Sequence, residues 1–135
     1  MNFYEKTSPV KEKIKNKINL EFENVKDNRI KEILLQRQDS SAFIKGISSY
    51  FIHKGLNGLL SEEENVQLAS HLEIYSTGLV ILDNIIDNHI IRNGKTTFLE
   101  EYGIALNVIA SHYATHVGLL HLTPYIKKFS EISGD

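Results

Sequence analysis

The amino-acid sequence predicts an all-α fold, an antiparallel helical bundle, and three observations indicate it. Apolar residues recur every three or four positions along most of the chain, which is the spacing of one helix face. Alternation of apolar and polar residues over the length of a strand is hard to find. No repeat, low-complexity tract or linker divides the chain. We therefore expect a single helical domain, residues 1–135, with about five or six helices joined by short connections.

The first part of the chain predicts one or two amphipathic helices and then another. Pro9 suits the start of a helix, and the buried face continues to about Gln36. Its apolar positions are Val10, Ile14, Ile18, Phe22, Val25, Ile30, Ile33 and Leu34. Residues 39–41, Asp-Ser-Ser, offer an N-cap for a helix over about 42–54. Residues 55–58, Gly-Leu-Asn-Gly, end that helix, because Gly and Asn adopt the left-handed cap conformation.

The second part predicts two long helices separated by a tight loop. Ser61 and Glu64 have the spacing of a capping box, in which each side chain accepts a hydrogen bond from the backbone N–H of the other residue. A helix should therefore follow over about 62–88. Thr97 and Glu100 repeat the signature before an apolar stretch over 99–122. Pro124 marks the expected end of that helix. Residues 92–97 read as the tight loop.

Composition and charge exclude several classes of protein. The chain has no cysteine, which excludes disulfides, thiolate zinc sites and a cysteine nucleophile. The stretch 72–91 carries three acids, so we expect no membrane span, and no secretory signal is visible. Residues 1–60 carry eleven Lys or Arg against seven acids, but aromatic residues do not alternate with them, so we expect no nucleic-acid partner. A small chain without disulfides suits the cytoplasm.

Two carboxylates on the predicted helix over 62–88 are the strongest chemical signal. Asp83 and Asp87 are four residues apart, so both lie on one helix face, with Asn84 beside them. Their surroundings, residues 78–86, are otherwise strongly apolar. Like charges at this spacing repel unless a cation compensates, and Mg²⁺ accepts one or two carboxylates together with water and phosphate oxygens. The alternative is that both acids lie at the solvent-exposed end of the helix and cap it without binding a metal.

The stretch 73–97 resembles the first aspartate-rich region of the trans-isoprenyl diphosphate synthases, the polyprenyl synthetase family. In that family a helix carries Asp-Asp-x-x-Asp, an Arg-Arg-Gly-Lys/Arg-Pro-Thr loop follows, and the next helix bears a Gly-x-Ala-Leu pattern. Residues 83–87 match two of the three aspartates, while Arg92, Gly94 and Lys95 match the loop. Residues 103–106 match the pattern of the next helix. The resemblance covers about residues 35–122.

The resemblance implies half of an isoprenoid-synthase-type bundle that binds an allylic prenyl diphosphate through Mg²⁺. By this resemblance the metal-binding residues are Asp83, Asp87 and Asn84. The diphosphate-binding residues are Arg92 and Lys95, with Arg37 as the cationic candidate for a second diphosphate. Gly78 and Leu79 occupy positions where family members set the length of the product chain. The activity implied is prenyl transfer, in which the allylic diphosphate departs and isopentenyl diphosphate is alkylated.

Several positions depart from the family pattern. Asn84 replaces the second aspartate, Asn93 the second arginine of the loop, and Ser76 a histidine used on isopentenyl diphosphate. Of the Gly-Gly-Lys-x-x-Arg-Pro element, only Arg37 remains as a cation, and no second aspartate-rich motif follows Asp87. A lone chain is therefore expected to be a poor catalyst, because a single aspartate-rich helix cannot hold the family's metal cluster.

Three hypotheses reconcile the match with these departures. The chain is one part of a split or heteromeric prenyltransferase, whose partner supplies the second motif. Alternatively, two copies pair so that Asp83 and Asp87 of each copy face one another. The third hypothesis is a diverged, non-catalytic relative that serves as a binding or regulatory subunit.

The histidines carry a weaker signal. His112 and His116 are four residues apart on the last predicted helix, a spacing that can bind one transition metal, and His121 follows. Hydrogen-bonded residues on a semi-polar face are the simpler interpretation. We expect His53, His71 and His89 to be surface or cap residues.

Overall fold

The computed structural model describes residues 2–56, 58–92 and 94–134, apart from the side chains of residues 92, 132 and 133. It contains the helices α1 (Phe3–Glu23), α2 (Asn28–Asp39), α3 (Ile44–Gly55), α4 (Glu62–Ile86) and α5 (Phe98–Ser133). The short strands β1 (Ile91–Arg92) and β2 (Lys95–Thr96) form an antiparallel hairpin between α4 and α5. Helices make up 81% of the described residues, which confirms the predicted all-α bundle.

Helix α4 is the centre of the bundle. It runs antiparallel to α5, since Gly78 lies against Ser111 and Thr115 while Gly118 lies against Tyr75. It also runs antiparallel to α3, since the Asn65 side chain donates to the Tyr50 carbonyl and Glu73 accepts from the Gly46 amide. Helix α1 runs parallel to α4, since Lys13 donates to Glu62 at the start of α4 while Glu21, further along α1, lies near His71, further along α4. The predicted antiparallel packing therefore holds for the neighbours α3 and α5 but not for α1.

The apolar positions predicted for the first two helices form the core. Ile14, Ile18, Phe22 and Leu34 are all fully buried, and they pack with buried residues of α3, α4 and α5. Every helix in residues 2–56, 58–92 and 94–134 is too short or too polar to cross a bilayer.

The first helix begins earlier than predicted. It starts at Phe3 because Asn2 and Glu5 form a capping box, with both side-chain-to-amide distances 2.9 Å. Pro9 therefore lies inside α1 rather than at its start. Proline has no N–H for the carbonyl one turn earlier, but Pro9 is on the exposed side of the helix, where water can hydrate that carbonyl.

The connection between α2 and α3 also differs from the prediction. Asp39 ends α2 and Ser40 is its C-cap, so neither residue caps α3. The N-cap of α3 is Phe43, which adopts a left-handed φ of 57° and is 2% exposed. Burial of its ring offsets the backbone cost, and Ser41 Oγ accepts the Phe43 N–H at 3.1 Å. Helix α3 ends at Gly55 as expected, but its C-cap Leu56 is not left-handed.

The two long helices follow their predicted starts. Ser61 and Glu64 form the predicted capping box of α4, with distances of 2.8 and 3.2 Å. Thr97 caps α5 through the amide of Leu99, at 3.4 Å, rather than through that of Glu100. The predicted end at Pro124 is wrong, because α5 continues to Ser133 with Pro124 in an exposed turn.

Helix α5 is interrupted near its start. Gly103 has φ 72° and ψ 174°, which no helix residue adopts, and only glycine takes this conformation without strain. The buried Asn107 side chain donates to the carbonyls of Phe98 and Gly103, at 3.0 and 2.8 Å. It thereby satisfies two acceptors near the break, so the first turn of α5 is held at a fixed angle beside the hairpin.

Candidate functional site

The two predicted metal-binding acids lie at the exposed C-terminal end of α4. Asp83 and Asp87 are both exposed, and Asp87 is the C-cap, its N–H donating to the Asp83 carbonyl at 2.9 Å. They share one face of α4 with Leu79 and Ile86, which are also exposed. We call Leu79, Asp83, Ile86 and Asp87 the α4 stripe. The exposure of these acids agrees with the alternative in which they lie at the solvent-exposed end of the helix.

The electrostatics of this helix end favour a cation. The last turn of α4 carries no basic residue, and its unpaired carbonyls are equivalent to about half a negative charge. Two carboxylates in the same turn add to that negative potential. Carboxylates beside a negative helix end attract a divalent cation.

Asn84 differs from its two acidic neighbours. It is 7% exposed and faces the interior of the bundle, toward α2 and α5. An aspartate at this position would be desolvated, so the neutral amide suits the burial. The end of α4 thus carries two exposed acids and one buried amide.

The hairpin is held against α2 and α4 by backbone contacts. Gln36 Nε2 donates to the Thr96 carbonyl at 2.6 Å, and the His89 N–H donates to the Asn84 carbonyl at 2.8 Å. Gly94 takes a left-handed φ of 75°, as the tight turn requires. Lys95 is exposed on β2. The backbone of Arg92 lies in β1, but its side chain, predicted to bind diphosphate, lies outside the described residues.

A small cavity brings together three of the predicted site residues. Arg37, Asn84 and Lys95 line it, on α2, α4 and the hairpin respectively. Its volume is about 30 Å³, which accommodates a water molecule but not a diphosphate. Ser40 and Asn107 add polar groups to its wall. Asp83 and Asp87 do not line this cavity, although they flank Asn84 in the chain.

A larger cleft lies between α2, α3 and α4, next to this cavity. Its volume is about 220 Å³, and Arg37 is shared between the two spaces. Lys45 Nζ donates to Ser76 Oγ at 2.6 Å, and an Arg37 guanidinium N–H donates to Ser40 Oγ at 3.0 Å. We call this space the cationic cleft. Its polar lining residues are Arg37, Ser40, Ser41, Lys45, Glu73 and Ser76.

Lys45 is the residue of this cleft that sequence reasoning missed. It lies thirty-one positions from Ser76, and the contact exists because α3 packs on α4. Ser76 thus holds the Lys45 ammonium at the wall of the cationic cleft. No local spacing indicated this pairing.

Glu73 fixes the wall of the cationic cleft. It is 4% exposed, and its carboxylate accepts the Gly46 N–H at 2.6 Å and the Ser41 hydroxyl at 3.5 Å. Gly46 is required at this point, because a Cβ there would lie 2.8 Å from the Ala69 carbonyl oxygen. The close approach of α3 to α4 therefore depends on a buried acceptor and on a residue without a side chain.

The two positions assigned to product length have different surroundings. Gly78 is buried where α4 packs on α5, and a Cβ there would lie 2.6 Å from the Ser111 carbonyl oxygen. Leu79 is 43% exposed on the α4 stripe. Gly78 thus has a packing role that is sufficient to explain a glycine.

The histidines separate into a buried pair and an exposed pair. His71 was expected at the surface, but it is 3% exposed on α4 and stacks on His121 of α5, with ring centroids 4.3 Å apart. Its burial lowers its pKa, so its ring is neutral at pH 7. His112 and His116 are exposed, and His116 Nδ1 lies 2.7 Å from the His112 carbonyl.

Comparison with known proteins adds no assignment. No protein-family model matches the chain, and no curated protein gives a significant match.

Proposed function

We propose that this protein binds an allylic prenyl diphosphate through Mg²⁺ and acts as one part of an oligomeric or split trans-prenyltransferase. The observation that carries the proposal is the α4 stripe, in which two carboxylates and two apolar side chains share one exposed face. Asn84 and Val80, which are chain neighbours of stripe residues, line the small cavity and the cationic cleft respectively, and both spaces share Arg37. Acids for a metal, cations for phosphates and apolar surface for a prenyl chain are thus adjacent.

The donor set at the end of α4 fits Mg²⁺. This ion keeps several of its waters and takes one or two carboxylates together with phosphate oxygens. Asp83 and Asp87 supply two carboxylates, and their exposure leaves room for the waters and the ligand. When bound, Mg²⁺ neutralises the charge that develops on a departing diphosphate. Asn84 supports the site from inside, because its carbonyl accepts the His89 N–H and so fixes the end of the helix.

The cationic cleft is the proposed place of a second diphosphate. Arg37 and Lys45 are held by Ser40 and Ser76, so both cations are positioned before a ligand arrives. Lysine and arginine bind phosphate oxygens through charged hydrogen bonds. Lys95 lines the small cavity together with Arg37 and would serve the allylic diphosphate from the hairpin.

The exposed apolar residues support completion of the site by more polypeptide. Leu79 and Ile86 on α4, and Ile104 and Leu120 on α5, are between 43% and 73% exposed. Such side chains on neighbouring helices favour an interface. A covering chain would also exclude water from a prenyl group lying on this face, which prenyl transfer requires.

A second candidate function is a non-catalytic binding subunit. The burial of Asn84 favours it, because the position of the family's second carboxylate is here adapted to a neutral side chain. In that case the diphosphate is held but not transferred. Transfer of a labelled isopentenyl group would refute the non-catalytic function, whether the active species is the monomer or a dimer identified by sedimentation.

Binding tests the proposal directly, since it requires only this chain. Isothermal titration with geranyl diphosphate and Mg²⁺ should give saturable binding to the wild type. Replacing both acids, Asp83→Ala with Asp87→Ala, should abolish the Mg²⁺-dependent part while the helical circular dichroism remains. The matched control, Glu12→Ala with Glu23→Ala, removes two exposed acids from α1 and should bind as the wild type does. Equal binding by both double variants would refute the proposal.

A further inference from the structure

We propose that Glu21, His71 and His121 form a binding site for a divalent transition metal, with Zn²⁺ as the best-suited ion. The three residues come from α1, α4 and α5, so a bound ion would join three helices of the bundle. The site lies about 18 Å along α4 from Asp83, at the rise of a helix. It is therefore independent of the proposed diphosphate site.

The geometry brings one ligand atom of each residue into a small volume. All three atoms lie within 4.8 Å of one another. Zn²⁺ binds imidazole nitrogen and carboxylate oxygen at about 2.0–2.2 Å, which places neighbouring ligand atoms about 3.5 Å apart. Contraction from at most 4.8 Å to that distance shortens each separation by no more than about 1.3 Å, which side-chain rotations can supply. Glu21 and His121 are only partly buried, so both side chains have space for this adjustment.

The hydrogen bonding of His71 orients its ring as a metal ligand. Its Nδ1 lies 2.8 Å from the Gln67 carbonyl oxygen, which can only accept, so Nδ1 carries the proton. The lone pair is then on Nε2. A histidine that ligates zinc generally donates its other ring N–H to a carbonyl or carboxylate in this way. Packing of α4 against its neighbours fixes the ring, since His71 is 3% exposed.

The second imidazole lies beside the first. The His71 and His121 rings are stacked at an angle of 25° with centroids 4.3 Å apart. The lone pairs of stacked imidazoles lie in separate planes, so the His121 ring has to turn to direct a nitrogen at an ion bound by His71. Because His121 is only partly buried, its side chain has space for that rotation. Two imidazoles and one carboxylate are a donor set that favours Zn²⁺ over Mg²⁺, because Mg²⁺ prefers oxygen. Zn²⁺ held by three protein ligands keeps a fourth position for water. The partial exposure of Glu21 and His121 gives the ion and that water access from solvent.

The exposed pair His112 and His116 is the competing explanation for any metal binding by this chain. Their ring centroids are 5.7 Å apart, and helical histidines four residues apart can bind one ion. The double variant His112→Gln with His116→Gln removes that pair without touching the buried cluster. It therefore serves as the matched control.

Co²⁺ titration monitored by visible absorption, followed by displacement with Zn²⁺, tests the proposal on the full chain. The wild type and the His112→Gln, His116→Gln control should bind one ion with equal affinity, and Zn²⁺ should raise the melting temperature of both. His121→Gln and Glu21→Gln, which alter partly exposed residues and should fold, should each weaken binding about tenfold or more. Unchanged affinity in both single variants, or loss of binding in the control, would overturn the proposal.

Discussion

The substitution Gly78→Ala tests how closely α4 and α5 must approach. A Cβ at this position would lie 2.6 Å from the Ser111 carbonyl oxygen and 2.8 Å from the Thr115 backbone nitrogen. Both contacts are to backbone, so one helix would have to move away from the other. Overpacking of this kind costs about 1–3 kcal/mol, and rigid backbone neighbours place this case near 3. The higher helix propensity of alanine offsets about 1 kcal/mol of this cost, so the free energy of unfolding should fall by about 2 kcal/mol.

The matched control is Gly55→Ala at the end of α3. Among the described residues outside its own helix and its chain neighbours, no atom lies within 4 Å of a Cβ added there, so the same chemical change should be neutral or stabilising by less than about 1 kcal/mol. Urea denaturation followed by circular dichroism measures both variants. The reasoning is refuted if Gly78→Ala is as stable as the wild type, or if the two substitutions change the free energy of unfolding in the same direction.

Three further predictions concern charged groups. Glu73→Ala should destabilise the fold by about 1–3 kcal/mol in urea denaturation, because it leaves the buried Gly46 N–H without its acceptor. Glu73→Gln keeps an acceptor oxygen and should retain most of the stability. Hydrogen bonding to Arg29 lowers the pKa of Asp27 from 3.8 to about 2. The stability that Asp27 contributes is therefore complete above about pH 4 and lost as the pH falls through 2, and Asp27→Asn should flatten this part of an acid-denaturation profile. Lys45→Met should weaken inorganic diphosphate binding about tenfold in a calorimetric titration, whereas Lys26→Met, on an exposed loop, should not.

The sequence was most informative where a local signal and the apolar pattern agreed. The start of α4 follows from Ser61 and Glu64, whose side chains can satisfy each other's amides only at the beginning of a helix. The same chemistry at Asn2 and Glu5 begins α1, upstream of the start that Pro9 predicts. Pro124 was misleading for a related reason, since an exposed helix turn tolerates one lost hydrogen bond when the residues around it continue to pack.

The candidate site could be predicted only in part, because its members come from separate elements. The spacing of Asp83 and Asp87 correctly places them on one helix face, but it does not determine whether that face is covered. Lys45 and His71 carry no local signal, since their partners lie thirty-one and fifty residues away in the chain. Packing of α3 and α5 on α4 creates both contacts, and periodicity alone does not reveal which helices will be neighbours.

The most direct test of the central claim is a thermal shift of the wild-type chain with geranyl diphosphate, Mg²⁺, or both together. A ligand at one hundred times its dissociation constant stabilises the folded state by about 2.7 kcal/mol, which is readily detected as a rise in melting temperature. We expect that rise when the diphosphate and Mg²⁺ are both present, and its loss when EDTA is added. An equal rise without Mg²⁺, or none with both, would contradict the assignment of Asp83 and Asp87 as the metal-binding pair.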